Sequence, residues 1–375
     1  LDPRLISTVA PAVAKAAIDS KIAQKTIKDW GAYASELDKR LGLDNKLIRN
    51  VTERAKKNPK RVVFAEADHY RILKAAQIVY DEGIAKPILL GKKHIIEALI
   101  EENHLDLEGV PIVDPKSDEE RKRRLEYADL LWAKRRRRGF TEFEARKIMR
   151  ERNWFGAAMV QTGDADAMIS GITRNYRDTI RPALQLIGRD EDVNLIAGMY
   201  ILIDKRGPIF FADTTVNFKP TARDLVDITV LAAKTVKRFK LVPRIALLSY
   251  SNFGSSEGED AEKVREAVAI LHKEYPGLVV DGELQANFAL NNEMMMDKFP
   301  FSKLVNKSPN VLIFPNLAAG NIAYKLMQEM SDTETVGPLL MGMKKAVHIL
   351  QLGSGVREIV NMVTIAVTDA QTREK

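Results

Sequence analysis

From Arg61 onward, short apolar runs alternate with longer stretches in which apolar residues recur every three or four positions. Arg61–Ala65 (RVVFA), Pro87–Gly91 (PILLG) and Val110–Val113 (VPIV) predict strands, with helices between them near His69–Tyr80 and Lys93–Glu102. Strands that are apolar at successive positions suit a parallel sheet covered on both faces. Ser117–Arg138 predicts a long charged helix capped by Ser117, with acids early and bases late, as the helix dipole favours. Gly139 ends it, and Thr141 followed three residues later by Glu144 predicts a capping box on the next helix.

The middle of the chain changes texture. Val193–Ile203 and Pro208–Val216 are rich in β-branched residues and predict an antiparallel hairpin turning at Asp204–Gly207. Arg244–Tyr250, Val279–Glu283 and Val311–Pro315 predict further strands, alternating with helices that begin near Thr221, Gly258 and Asn316. Ala346–Leu350 returns to strand before a Gly-rich turn and a final helix. The expected fold class is α/β, with a middle domain inserted into the first. Residues 1–44 stand apart, with an Ala-rich helix at Ala10–Ala17 and another near Trp30–Leu41. The chain opens Leu1-Asp2-Pro3-Arg4 rather than with Met, which reads as a fragment of something longer.

At 375 residues the chain exceeds what one core usually supports, so two domains are expected. No apolar run is long enough to span a bilayer, and no secretory pattern opens the sequence. The absence of cysteine excludes disulfides, thiolate metal sites and cysteine nucleophiles, and suits a cytoplasmic location. The five histidines lie far apart, which argues against a preformed metal site. The excess of 58 Lys+Arg over 51 Asp+Glu, a formal charge of +7, fits a compact polyanionic ligand. No nucleic-acid fingerprint accompanies it.

Several stretches carry candidate chemistry beside plainer readings. Lys134-Arg135-Arg136-Arg137-Arg138 can cradle phosphate, or be a solvated helix end. On a helix at most one or two of these arginines face a single pocket. Ser170-Gly171 closes a predicted strand and offers backbone N–H groups to an anion, with Arg181-Pro182 expected at a following helix N-terminus. The alternative is an ordinary strand–turn–helix joint. Ser249–Gly258 (SYSNFGSSEG), with Ser249, Ser251 and Asn252, allows close approach of a phosphate but lacks the Walker ending, and a bare loop fits as well. Asn316, Gly320 and Asn321 follow another strand, where open α/β sheets place ligands. Gly353-Ser354-Gly355 has Glu358 where a dinucleotide fingerprint needs its third glycine. Met294–Met296 reads as core or interface filling.

Taken together, AMISGITRNYRDTIRPALQ (167–185), FADTTVNFKPTARDLVDI (211–228), ALLSYSNFGSS (246–256), VVDGELQANFAL (279–290) and FPNLAAGNIAYKL (314–326) resemble the phosphate acetyl/butyryltransferase family over roughly residues 45–375. The resemblance implies two α/β/α domains separated by a cleft, an architecture like that of isocitrate and isopropylmalate dehydrogenases. The first would take 45–191 plus 339–375 and the second 192–338. It also implies a homo-oligomer, at least a dimer, and acetyl-CoA, CoA or acetyl phosphate as ligand. Residues 1–44 resemble the tail of bacterial malic enzymes, as in the hybrid NADP-dependent enzymes, whose NADP and divalent metal would belong to a domain upstream of this chain.

In active members of the family a Ser-Arg pair and an Asp seven residues after the Ser carry acetyl transfer. Here the resemblance places Gln351 and Leu352 at the pair and leaves Glu358 as the acid. Arg135 and Arg181 match the family's phosphate-binding arginines, while Asn287 stands where Asp is usual. A kept pocket without its transition-state groups implies an acetyl-CoA sensor serving a malic enzyme. Slow residual transfer by Glu358 and Gln351, or a role as assembly scaffold, are the alternatives.

Overall fold

The computed structural model describes residues 5–40, 46–204, 207–331 and 333–373. The opening Leu1-Asp2-Pro3-Arg4 and, in the expected hairpin turn, Lys205 and Arg206 lie outside them. The chain falls into two compact units, Leu1–Glu53 and Arg54–Lys375. The first holds helices Leu5–Asp19 and Trp30–Arg40, close to the two that the sequence predicts.

Every strand among the described residues lies in the second unit, in two sheets. The first is all-parallel and built from β1 (Lys60–Phe64), β2 (Ala85–Leu90), β3 (Ile112–Val113), β4 (Ala167–Ser170) and β11 (Ala346–Ile349), in the order β11-β4-β1-β2-β3. Its strands are buried along nearly their whole length, as their continuous apolar character requires. β3 is shorter than the predicted Val110–Val113, because Pro111 has no N–H to pair and contributes only its carbonyl, to Leu89 N–H at 2.9 Å.

The second sheet contains β5 (Ala197–Asp204), β6 (Gly207–Ala212), β7 (Arg244–Leu248), β8 (Val279–Leu284), β9 (Val311–Ile313) and β10 (Glu334–Met341), in the order β10-β5-β6-β9-β7-β8. β5 and β6 form the predicted antiparallel hairpin, and β6, β9, β7 and β8 run parallel. The chain thus leaves the first sheet after β4 and returns to it at β11, with the second sheet built in between.

Local signals in the sequence account for most helix starts. Thr141–Glu144 and Thr221–Asp224 form capping boxes, and Asn316 accepts the Ala319 N–H at the head of Leu317–Met330. Two expectations are corrected. Ser117 caps nothing: its carbonyl accepts from the Arg124 guanidinium, residues near it form turns, and the helix runs only Arg121–Arg135. A 3₁₀ turn, Arg136–Arg138, follows and ends at Gly139 in the left-handed region. Nor does Pro182 open a helix. Asn175 accepts the Asp178 N–H at 2.9 Å and starts Tyr176–Leu186 earlier, which leaves Pro182 in its interior and Arg181 in its middle.

A buried ion cluster joins elements of both sheets. Asp369, on the final helix Val356–Arg373, accepts from Arg238 at 2.7 Å and Arg373 at 3.0 Å, with His348 Nε2 of β11 3.5 Å away. His348 Nδ1 accepts the Leu340 N–H of β10 at 3.3 Å. Burial alone would raise Asp369, but His348 and the two arginines outweigh it and hold the carboxyl well below its usual range.

Candidate functional site

Glu66, just past β1, is 1% exposed and folds its carboxylate into the loop after the neighbouring β4. It accepts the backbone N–H groups of Gly171 at 2.5 Å, Ile172 at 2.8 Å and Thr173 at 3.1 Å, and the Thr173 hydroxyl. β1 pairs with β2 on one side and β4 on the other, so this is the strand-order switch where open α/β sheets bind ligands. The N–H groups expected to serve an anion at Ser170-Gly171 are therefore taken by the protein's own anion. Ser170 is equally enclosed, with Oγ 2.9 Å from Asn153 Oδ1. Gly171 has φ of +120°, and a Cβ there would lie 2.6 Å from the Leu350 carbonyl, so close packing explains the glycine.

The second sheet repeats the arrangement. Glu283 of β8 is fully buried and accepts from Ser251 Oγ at 3.0 Å, Gly254 N–H at 2.6 Å and Arg265 at 3.1 Å. Burial pushes its carboxyl up, but Arg265 and these donors outweigh that and hold it below the usual value. Ser249 Oγ accepts the Ser251 N–H at 3.2 Å, and Asn252 Oδ1 accepts the Gln285 N–H at 2.8 Å. Asp213, after β6, likewise gathers the N–H groups of Gly198, Thr215, Val216 and Asn217 at 2.9–3.1 Å. Asn321 Nδ2 donates to the Thr214 carbonyl at 3.2 Å, and a Cβ on Gly320 would lie 2.4 Å from the Asp213 carbonyl. Ser249, Ser251, Asn252, Asn316, Gly320 and Asn321 thus all serve the loop architecture in this conformation.

The segment after β11 is similarly committed. Gln351 Nε2 donates to Tyr200 Oη at 2.5 Å, and Tyr200 stacks on Tyr324 with ring centroids 3.9 Å apart. Leu352 is 66% exposed. Glu358 accepts the Gly355 N–H at 3.1 Å at the head of the last helix, which is the geometry of an N-terminal cap. Arg71 holds the Gly353 carbonyl at 2.7 Å. Gln351 and Glu358 are thus each bonded to a group of the protein itself, and Leu352 is turned to solvent.

Arg135 and Arg181 do come together. With Arg138 and Arg177 they line a concavity of about 780 Å³ between Arg121–Arg138 and the helix Tyr176–Leu186, floored by Ile180, Leu184 and Gln185. Among the described residues none of the four guanidinium groups pairs with a carboxylate. The one acid on the lining, Asp178, accepts from Asn175 Nδ2 at 2.7 Å. Burial, then Arg138 and Arg181, lower the proton affinity of Arg135, the mark of a cation facing cations. Arg135 Nε and Gln185 Oε1 are buried without a hydrogen-bond partner. An anion with several oxygens would satisfy these groups. The helix breaks at Arg136, and the 3₁₀ turn brings Arg138 back to the side of Arg135. Arg177 escaped the sequence reading, although its spacing of four from Arg181 puts the two on one helical face.

The model of the family described as Phosphate acetyl/butaryl transferase matches residues 46–367. An NADP-dependent malic enzyme of Escherichia coli (strain K12) is 39% identical over 374 residues, which cover 99% of this chain and 49% of that protein. The chain thus spans about half the length of the malic enzymes it matches, corresponding to their C-terminal half. A phosphate acetyltransferase of Clostridium acetobutylicum is 34% identical over 332 residues, 87% of this chain and 98% of that enzyme. The crystal structure of a phosphotransacetylase from Streptococcus pyogenes superposes with a TM-score of 0.79 at 32% identity, covering 88% of this chain and 98% of that one. Sequence, two-sheet topology and structural likeness agree: this chain belongs to the phosphate acetyl/butaryl transferase family.

Proposed function

We propose that this domain binds acetyl-CoA through the arginine concavity and passes its occupancy to a malic enzyme of which the chain is part, with little or no acetyl transfer. The observation that carries the reading is a contrast within one fold. Four unpaired guanidinium groups stand ready for phosphate, while Gln351, Leu352 and Glu358 are bonded elsewhere or turned to solvent. Acetyl transfer through a thiolate builds negative charge on the acyl oxygen, and only groups aimed at that charge accelerate it. Leu352 offers no donor, and the loss of one such donor costs ~10²–10³ in rate. NADP, the divalent metal and malate decarboxylation belong in this reading to the part of the malic enzyme outside the chain. Titration of the complete malic enzyme with acetyl-CoA tests it: a saturable change in malate turnover is expected, and unchanged kinetics at saturation would contradict it.

A second, compatible reading is assembly. Ile322, Leu326 and Met330 form an exposed apolar stripe at a spacing of four on the helix Leu317–Met330. Leu326→Glu should lower the oligomer mass in light scattering if the stripe joins two copies.

A further inference from the structure

We infer that the helix Tyr176–Leu186 is a lever that couples the arginine pocket to the seam between the two sheets. The inference rests on the pocket being an anion site and names the path by which its occupancy reaches the rest of the molecule. One face of the helix carries Arg177 and Arg181 to the pocket. Another buries Thr179, Ile180, Pro182, Ala183 and Leu186 in the first core. Tyr176, in its first turn and about 140° around the axis from Arg181, turns its hydroxyl toward Asp213 and Thr215 at the end of β6, in the second sheet.

That contact is unsettled. Tyr176 Oη and Thr215 Oγ1 are both buried and stand close enough to interact, yet neither completes a hydrogen bond of good geometry. A buried hydroxyl without a well-formed bond is costly, so an arrangement in which the two pair properly lies close in free energy. Tyr200 is near enough for the Tyr176 phenol to raise its proton affinity further, beyond the effects of burial and Tyr324. Its hydroxyl accepts from Gln351, and its ring stacks on Tyr324 of the second unit's other sheet-covering helix, Leu317–Met330. Tyr176 thus faces the second sheet in the neighbourhood of Tyr200, and Tyr200 is hydrogen-bonded to Gln351 in the loop after β11.

Charge supplies the force. Arg138 and Arg181 repel Arg135 across the gap between the two helices, and Arg177 adds a fourth cation to the lining. A multivalent anion converts that repulsion into attraction and draws the first turn of Tyr176–Leu186 toward Arg135 and Arg138. The C-terminal end is anchored, since the Leu186 carbonyl accepts from Lys134 at 2.5 Å. Movement is thus concentrated at Tyr176, where the loosely matched pair of hydroxyls, Tyr176 and Thr215, leaves a second arrangement accessible. A ligand shifts such an equilibrium only by its differential affinity, and the repulsion relieved on binding supplies the difference.

The test is hydrogen–deuterium exchange on the whole chain, with CoA and inorganic pyrophosphate as probes, in the natural sequence and in Tyr176→Phe. Binding is followed separately by calorimetry. Both probes should alter exchange in the pocket peptides and also in peptides spanning Met199–Ile201 and Leu350–Gly355. Tyr176→Phe should bind within about threefold of the natural chain, because its hydroxyl does not line the pocket, and should lose at least half of the seam response. Absence of binding would overturn the anion pocket itself. Binding with changes confined to 135–138 and 177–185, or a full seam response in Tyr176→Phe, would overturn the lever alone.

Discussion

The backbone N–H groups after β4 and the guanidinium groups around Arg181 offer an anion the same thing, a cluster of donors aimed at one point, yet the chain fills only the first. Glu66 closes the N–H groups of Gly171, Ile172 and Thr173, and Glu283 and Asp213 do the same in the second sheet. Arg135, Arg138, Arg177 and Arg181 line one concavity, and among the described residues none of them pairs with a carboxylate. A buried N–H left unpaired is costly, so loops that close over the strand ends need an internal acceptor. Guanidinium groups at a solvent-facing concavity keep most of their donors in water, and the buried Arg135 Nε is left for a ligand to satisfy. The first arrangement serves the fold; in the proposed reading the second serves binding.

Removing the internal anion should have the largest effect. Glu66→Ala orphans the buried N–H groups of Gly171 and Ile172 and frees the more exposed one of Thr173, and is expected to cost about 3–5 kcal/mol, read as a lower urea midpoint. A cost below about 1 kcal/mol would mean that water serves these donors equally well. Arg181→Ala sharpens the contrast from the other side. It should leave the urea midpoint unchanged and weaken acetyl-CoA binding by about 1.5–3 kcal/mol, the range of a charge-assisted contact, in calorimetry. An unchanged affinity would make Arg181 structural.

Acid should act on the filled sites and not on the arginines. Glu283 and Asp369 are both held below their usual values in the fold, so their ion pairs stabilise it fully above the unfolded-state values of about 4. That stability is lost as pH falls through the lower folded values. The urea midpoint should stay level from pH 7 to about 5 and drop below about 4, with a shallower drop in Glu283→Gln. The smallest effect belongs to Asn175→Ala, which removes the cap of the pocket helix and should cost about 1 kcal/mol of stability. It should also loosen anion binding by less than tenfold, since all four arginines remain.

Element types were largely legible because the signals are local. Continuous apolar runs marked the buried parallel strands, and Thr141–Glu144, Thr221 and Asn316 announced their helices through capping chemistry. Pro182 misled because proline is most at home in the first turn of a helix, whereas Asn175 starts this one earlier. Ser117 misled because a serine before a charged run looks like a cap, and only the fold reveals Arg124 reaching back to its carbonyl. The site was half legible. Arg135 and Arg181 were found by resemblance, but their juxtaposition with Arg138 and Arg177 depends on the 3₁₀ turn at Arg136–Arg138 and on the packing of two helices. The small polar residues at Ser170, Ser251 and Asn252 have the composition of a ligand loop. Ser170 and Ser251 instead sit against a distant carboxylate, Glu66 or Glu283, and Asn252 holds the Gln285 N–H, pairings with no local signature.

The central claim is a pocket that binds without a centre that transfers, and one preparation of this chain can test both halves. Acetyl-CoA is titrated by calorimetry, and the same sample is then given phosphate while released CoA thiol is read with a thiol reagent, against which a protein without cysteine gives no background. The account predicts saturable binding, weakened at least about tenfold in Arg181→Ala, with thiol release no faster than the protein-free blank. Phosphate-dependent release well above that blank would contradict it and return Gln351 and Glu358 to the status of catalytic candidates.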